Sequence, residues 1–103
     1  MTVSMHVAYP AGNGSNFDHD YYFSTHMDIV DAHFGPHLKS ATASKGLAGG
    51  PETPSPFHAI ATLVFPDQAA FDAAMAVAGP VLEDIPKFTD TTPQMMIGEV
   101  VVG

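Results

Sequence analysis

Residues Thr2 to Tyr9 alternate, with Val3, Met5, Val7 and Tyr9 on one side and Thr2, Ser4, His6 and Ala8 on the other. Period two is the mark of a strand with one buried face. Pro10 to Asn16, rich in Gly, Asn and Pro, reads as a loop. The period then changes. Phe23, Met27, Val30 and Phe34 recur at helical spacing and predict the buried stripe of a helix from about Asp18 to Phe34. Asp18 is placed to cap it, its carboxylate accepting from free N–H groups of the first turn. Phe17 before the cap and Tyr22 four residues after it fit a hydrophobic staple. Tyr22, His26 and His33 follow along the edge of the stripe. Gly35 and Pro36 are expected to end the helix, the glycine by turning left-handed and the proline by being unable to continue.

Residues 37–46 are polar, with Ser, Thr and Ala, and predict a weak strand; 46–56 is a Gly- and Pro-rich loop. Phe57 to Phe65 is the strongest strand, with Phe57, Ala59, Ala61, Leu63 and Phe65 on one face and Ile60 and Val64 on the other. Asp67 caps a second helix whose stripe is Phe71, Ala74, Met75 and Ala78. Gly79 and Pro80 break it, and Val81 to Ile85 make a further turn before Pro86. A last strand runs from Gln94 to Val102, again apolar on both faces. The order β-α-β-β-α-β predicts an α+β, ferredoxin-like fold: a four-stranded antiparallel sheet with its helices on one face. Strands apolar on both sides need cover on both sides. A second copy related by a two-fold axis is the economical cover, so a homodimer through the sheet faces is expected.

Length and composition narrow the function classes. The 103 residues fit one domain over 1–103, with a modest core. At 46% hydrophobic and 14% charged, the chain is globular. No apolar run approaches the ~20 residues of a membrane span, and no signal-peptide pattern opens the chain, so a cytoplasmic location is the default expectation. Without cysteine there is no disulfide, thiolate nucleophile or zinc–thiolate site. Eleven acidic residues face three lysines and no arginine. A chain this acidic is a poor match for nucleic acid. With no arginine fork, a carboxylate or phosphate ligand is disfavoured, and a small neutral organic ligand is expected.

Four blocks carry a family resemblance. They are Val7 to Pro10; Phe17 to Met27, with Asp18, Asp20, Tyr21, Tyr22 and His26; His58 to Leu63; and Asp84 to Pro93, with Ile85, Pro86, Phe88, Thr89 and Asp90. In these the chain resembles the EthD family, named for ethyl tert-butyl ether degradation, within the dimeric α+β barrels. The resemblance spans nearly the whole chain. It implies a ferredoxin-like protomer, paired sheets and a cavity between sheet and helices. The family's recurrent histidine corresponds to His26, and its tyrosine pair to Tyr21 and Tyr22. The family is linked to oxidative degradation of small organic molecules, and relatives of the fold include cofactor-free monooxygenases, isomerases and cyclases, which implies no cofactor. One departure is Asp28, where the family often has proline; the first helix is therefore expected to be more regular here.

His26 is the leading catalytic candidate, as general acid or base, with Tyr22 beside it. The competing reading of His26 is a half-buried histidine held by a backbone carbonyl or a tyrosine. Asp84 and Asp90 frame a turn, either as carboxylates orienting His26 or as simple turn caps. His19, His26 and His33 are each two turns apart, about 10 Å along a helix, too far to share a metal. His6 and His58 lie on strands expected to neighbour, where they could meet. No metal motif is present, and no metal is expected. Three functions remain: an enzyme on small, mostly apolar molecules, an oxidoreductase or isomerase; a non-catalytic carrier; or a dimeric accessory module whose pocket is filled by side chains.

Overall fold

In the computed structural model, which describes all 103 residues, the alternation of β1 (Val3–Pro10) holds. Val3, Met5, Val7 and Tyr9 are buried beneath the helices, while His6 and Ala8 face the other way and are half-buried. A first helix spans residues 19–34, followed by β2 (Ser40–Lys45), β3 (Phe57–Phe65), a second helix (Gln68–Ala76), a third (Gly79–Asp84) and β4 (Gln94–Glu99). The strand order is β2-β3-β1-β4, and every neighbouring pair is antiparallel. This is the ferredoxin-like fold. Its core is one layer between sheet and helices, in which Phe65 of β3 packs edge-on against Phe71, centroids 5.3 Å apart, in a cluster that also holds Leu63, Phe34 and Ala74. Burying side chains of this size is worth about 1.5–3 kcal/mol each.

Both helix starts behave as expected. Asp18 accepts a hydrogen bond from the Tyr21 amide at 3.0 Å, and Asp67 from the Ala70 amide at 2.8 Å. Phe17 and Tyr22 close the staple, their rings 5.0 Å apart.

The first helix departs from expectation in three ways. It is less regular, not more: Tyr22–His26 is wound as a π-helix between α-helical His19–Tyr21 and Met27–Phe34. The Met27 amide reaches back five residues to the Tyr22 carbonyl. The absence of proline after Met27 therefore does not make the helix uniform. Second, the wider turn breaks the expected stripe. Phe23 is turned to the surface, whereas Tyr22 and His26 are buried with Val30 and Phe34. Third, Gly35 stays right-handed, at φ −47° and ψ −45°. The chain tightens into a 3₁₀ turn over Gly35–His37 and leaves the helix at Leu38, which is extended.

β4 ends at Glu99, short of the expected Val102; Val101 and Val102 are exposed. One further bond, from the Val100 amide to the Thr2 carbonyl, closes the edge. The outer sheet face carries no helix. Ile60 and Met96 lie exposed on it, among Thr42, Thr62 and His6. On the helix side, Met95 and Ile97 of β4 are also about half exposed, because the helices do not reach the sheet edge.

Candidate functional site

Asp84 is the last residue of the third helix, and it is 3% exposed. A carboxylate there meets the negative end of the helix dipole and is cut off from water. Two donors and a nearby cation compensate. The Tyr21 hydroxyl donates to Oδ1 at 2.7 Å, His26 Nδ1 donates to Oδ2 at 2.9 Å, and Lys87 Nζ stands 3.9 Å from Oδ1. Burial pushes the Asp84 carboxyl up, but the bonds from Tyr21 and His26, with the charges of His26 and Lys87, outweigh it and hold it below its ordinary value. The carboxylate is thus ionised near neutral pH and can only accept.

His26 is 3% exposed. Burial lowers its pKa below the ordinary histidine value; the hydrogen bond to Asp84 and the Asp84 charge pull the other way without cancelling it. The ring is therefore neutral at pH 7. Because Asp84 only accepts, the imidazole proton sits on Nδ1, and the Nε2 lone pair is left free. The ring stacks on Tyr22, centroids 5.5 Å apart at 17°, and tilts against Phe88 at 4.6 Å.

Two local devices bring this pair together. The π turn puts Tyr22 and His26 on the buried side, and such turns recur at functional sites. The turn after the third helix is then pinned to the start of the first: the Asp18 amide bonds the Phe88 carbonyl at 2.7 Å, and the Thr89 hydroxyl bonds the Asn16 carbonyl at 2.7 Å.

His26 of this pair borders a cavity of about 170 Å³ between sheet and helices. Of its 16 lining residues 15 are hydrophobic; the remaining one is His26. Leu82 and Met95, each about half exposed, mark its mouth. Tyr9 and Tyr22 also line it. Tyr22 is fully buried, yet its hydroxyl has no hydrogen-bond partner. Leaving such a group unpaired costs about 1–3 kcal/mol. Burial pushes the Tyr22 phenol up to about 12, and burial with the neighbouring Tyr22 raises Tyr9 further.

Of the residues singled out in the sequence, His26, Tyr22 and Asp84 come together. Tyr22 and His26 were expected at the border of the packing, but they lie inside it. Asp90 does not join them; it accepts from the amide and side chain of Asn16. His6 and His58 do not meet. His6 pairs across the sheet with Thr62, its Nδ1 3.2 Å from the Thr62 hydroxyl, while His58 Nε2 lies 2.8 Å from the Ser15 hydroxyl. No three His, Asp or Glu side chains are grouped so as to hold a metal ion. Sequence reading missed Tyr9 as a wall of the cavity, although its inward place on β1 was the available signal.

The model of the EthD domain matches residues 14–92. An EthD-like protein from Ralstonia eutropha JMP134 is 38% identical, covers 98% of this chain and 93% of its own, and superposes with a TM-score of 0.88. Two more distant structures share the fold alone. A dimeric ferredoxin-like protein of unknown function from Thermobifida fusca YX is 10% identical, with 97% and 92% of the two chains covered and a TM-score of 0.64. SnoaB, a cofactor-independent oxygenase from Streptomyces nogalater, is 13% identical, with 99% and 94% covered and a TM-score of 0.62. No curated protein matches. The match over most of the chain, and a near superposition at 38% identity, establish that the chain belongs to the EthD family.

Proposed function

We propose that the protein binds a small, mostly apolar organic molecule in the cavity between sheet and helices and transforms it by proton transfer at His26. One observation carries this reading: His26, held at 2.9 Å by the buried Asp84 carboxylate behind it, is the one residue of the cavity wall that is not hydrophobic. Asp84 fixes the ring and the proton on Nδ1, so Nε2 acts as the base. When Nε2 takes a proton from the ligand, the imidazolium forms beside an ionised carboxylate, which stabilises it. A pure carrier of apolar molecules has no use for a buried ionisable pair, whose desolvation is costly. An accessory module would fill the space with side chains.

The step after proton removal separates the two enzyme classes. Return of the proton to another ligand atom is an isomerisation. Addition of the ligand anion to dioxygen is an oxygenation; the fold likeness to SnoaB makes that chemistry reasonable on this scaffold, by analogy only. The dimer belongs to the same proposal: the open outer face with Ile60 and Met96 is the natural seat of a second copy, joined sheet to sheet.

The test is a ligand search by native mass spectrometry, followed by turnover assays with an oxygen electrode. His26→Ala should leave a folded protein that retains ligand and loses turnover. A His26→Ala protein that turns over the ligand at the parental rate would end the proposal.

A further inference from the structure

Two side chains of the first helix grip one carboxylate. The Tyr21 hydroxyl donates to Asp84 Oδ1 at 2.7 Å, and His26 Nδ1 meets Oδ2 at 2.9 Å. Tyr21 and His26 stand five residues apart. On an α-helix of 3.6 residues per turn, such residues point about 140° away from each other. A π turn, bonded from i to i+5, brings residues five apart close to one line. The π turn over Tyr22–His26 fills the interval between them and lets both face Asp84. Tyr21 is fixed at its backbone and at its ring. Its amide is bonded to the Asp18 cap, and its ring lies nearly parallel to Phe88, centroids 6.3 Å apart at 24°. Lys87 offers no equivalent hold. Its ammonium is 3.9 Å from Oδ1, beyond hydrogen-bond distance, and its side chain is 69% exposed. Burial raises the Asp84 pKa, and the Tyr21 bond is the largest of the contributions that lower it.

From this geometry we infer that Tyr21 is a positioning residue of the site: its hydroxyl holds Oδ1, fixes the plane of the Asp84 carboxylate, and so keeps Oδ2 aimed at His26 Nδ1. The role rests on His26 being the base of the cavity. Tyr21 is not part of the cavity wall, so it acts only through Asp84. A carboxylate bonded at one oxygen can turn about its Cβ–Cγ bond, a broad, two-fold torsion. Held at both oxygens, it keeps one orientation. The imidazole proton then stays on Nδ1 and the lone pair on Nε2.

The experiment is ¹⁵N NMR of the His26 imidazole at pH 7 in the ligand-free protein, which reads the tautomer without a substrate. The parent should show the Nδ1–H form. Tyr21→Phe keeps the ring on Phe88 and deletes only the hydroxyl. It should lower the ratio of the Nδ1–H to the Nε2–H form at least about tenfold, the scale of one hydrogen bond to a charged group. 4-Aminophenylalanine in place of Tyr21 returns a donor and should restore the ratio. Lys87→Met should leave the ratio at the parental value. Should Tyr21→Phe not fold, 4-fluorophenylalanine, which fills the hydroxyl's space without donating, takes its place. A merely structural Tyr21 would lower Tm on substitution and leave the tautomer untouched. That result, a ratio not restored by 4-aminophenylalanine, or an equal effect of Lys87→Met overturns the positioning role and leaves His26 as the base intact. A parent ring with its proton on Nε2 overturns both.

Discussion

His26 Nδ1 and Asp84 Oδ2 lie 2.9 Å apart, 58 residues from each other in sequence and both shut away from solvent. The contact joins the π turn of the first helix to the last residue of the third. Both groups have lowered pKa values, so the folded state resists protonating either. Their contribution to stability is present above the ordinary values and is lost as pH falls. For His26 the loss starts below 6.5, and for Asp84 below 3.8. Thermal melts from pH 8 to pH 4 should show a falling Tm already between pH 6.5 and 5, and His26→Gln should flatten that part of the profile.

Asp84→Asn removes the acceptor that fixes the His26 proton. It also removes the charge and hydrogen bond that hold the His26 pKa up, so that pKa should fall further. Histidine NMR titration reads the shift directly. Turnover of a ligand found by screening should drop by about 100-fold or more, the scale of general-base catalysis.

Tyr22→Phe should stabilise the ligand-free protein. It deletes a buried hydroxyl that has no partner and leaves the ring packed on His26 and Phe88. A gain of about 1 kcal/mol raises Tm by roughly 4–8 °C in a domain of this size. A loss of stability would mean that the hydroxyl has a partner in solution.

Much of the fold was legible from the chain. The inward set of β1 is the predicted one, and both capping aspartates cap. Two things were not legible. Helical spacing between Phe23 and Met27 fits an α-helix, and nothing local announces the π turn. The buried environment of Tyr22 and His26, among Phe88 and Asp84, selects it. The Asp84–His26 contact is equally invisible to spacing, because it depends on how the turn after the third helix docks on the first. Asp90 looked equivalent to Asp84 in sequence; docking sends it to Asn16 instead.

All three tyrosines should titrate late. Tyr21 is raised by its bond to Asp84, Tyr22 by burial to about 12, and Tyr9 beyond that by burial and Tyr22. Raised acids hold the fold below their ordinary value of 10.0, and that stability is lost as pH climbs toward 12. Phenolate absorbance should therefore stay low at pH 10 in the folded protein and rise together with the loss of far-UV circular dichroism.

The sheet-to-sheet dimer is checked by sedimentation. Ile60→Asp places a charge on the open outer face, where a second sheet would bury it. The parent should sediment as a dimer and the variant as a folded monomer; a dimeric variant would put the interface elsewhere.

The most direct test of His26 as the base of the cavity is ¹⁵N NMR of its imidazole at pH 7, alone and with a ligand found by native mass spectrometry. The expected spectrum has a proton on Nδ1 and a bare Nε2, with the Nε2 resonance moving when the ligand fills the cavity. A proton on Nε2, or an Nε2 resonance indifferent to a bound ligand, would contradict the proposed role.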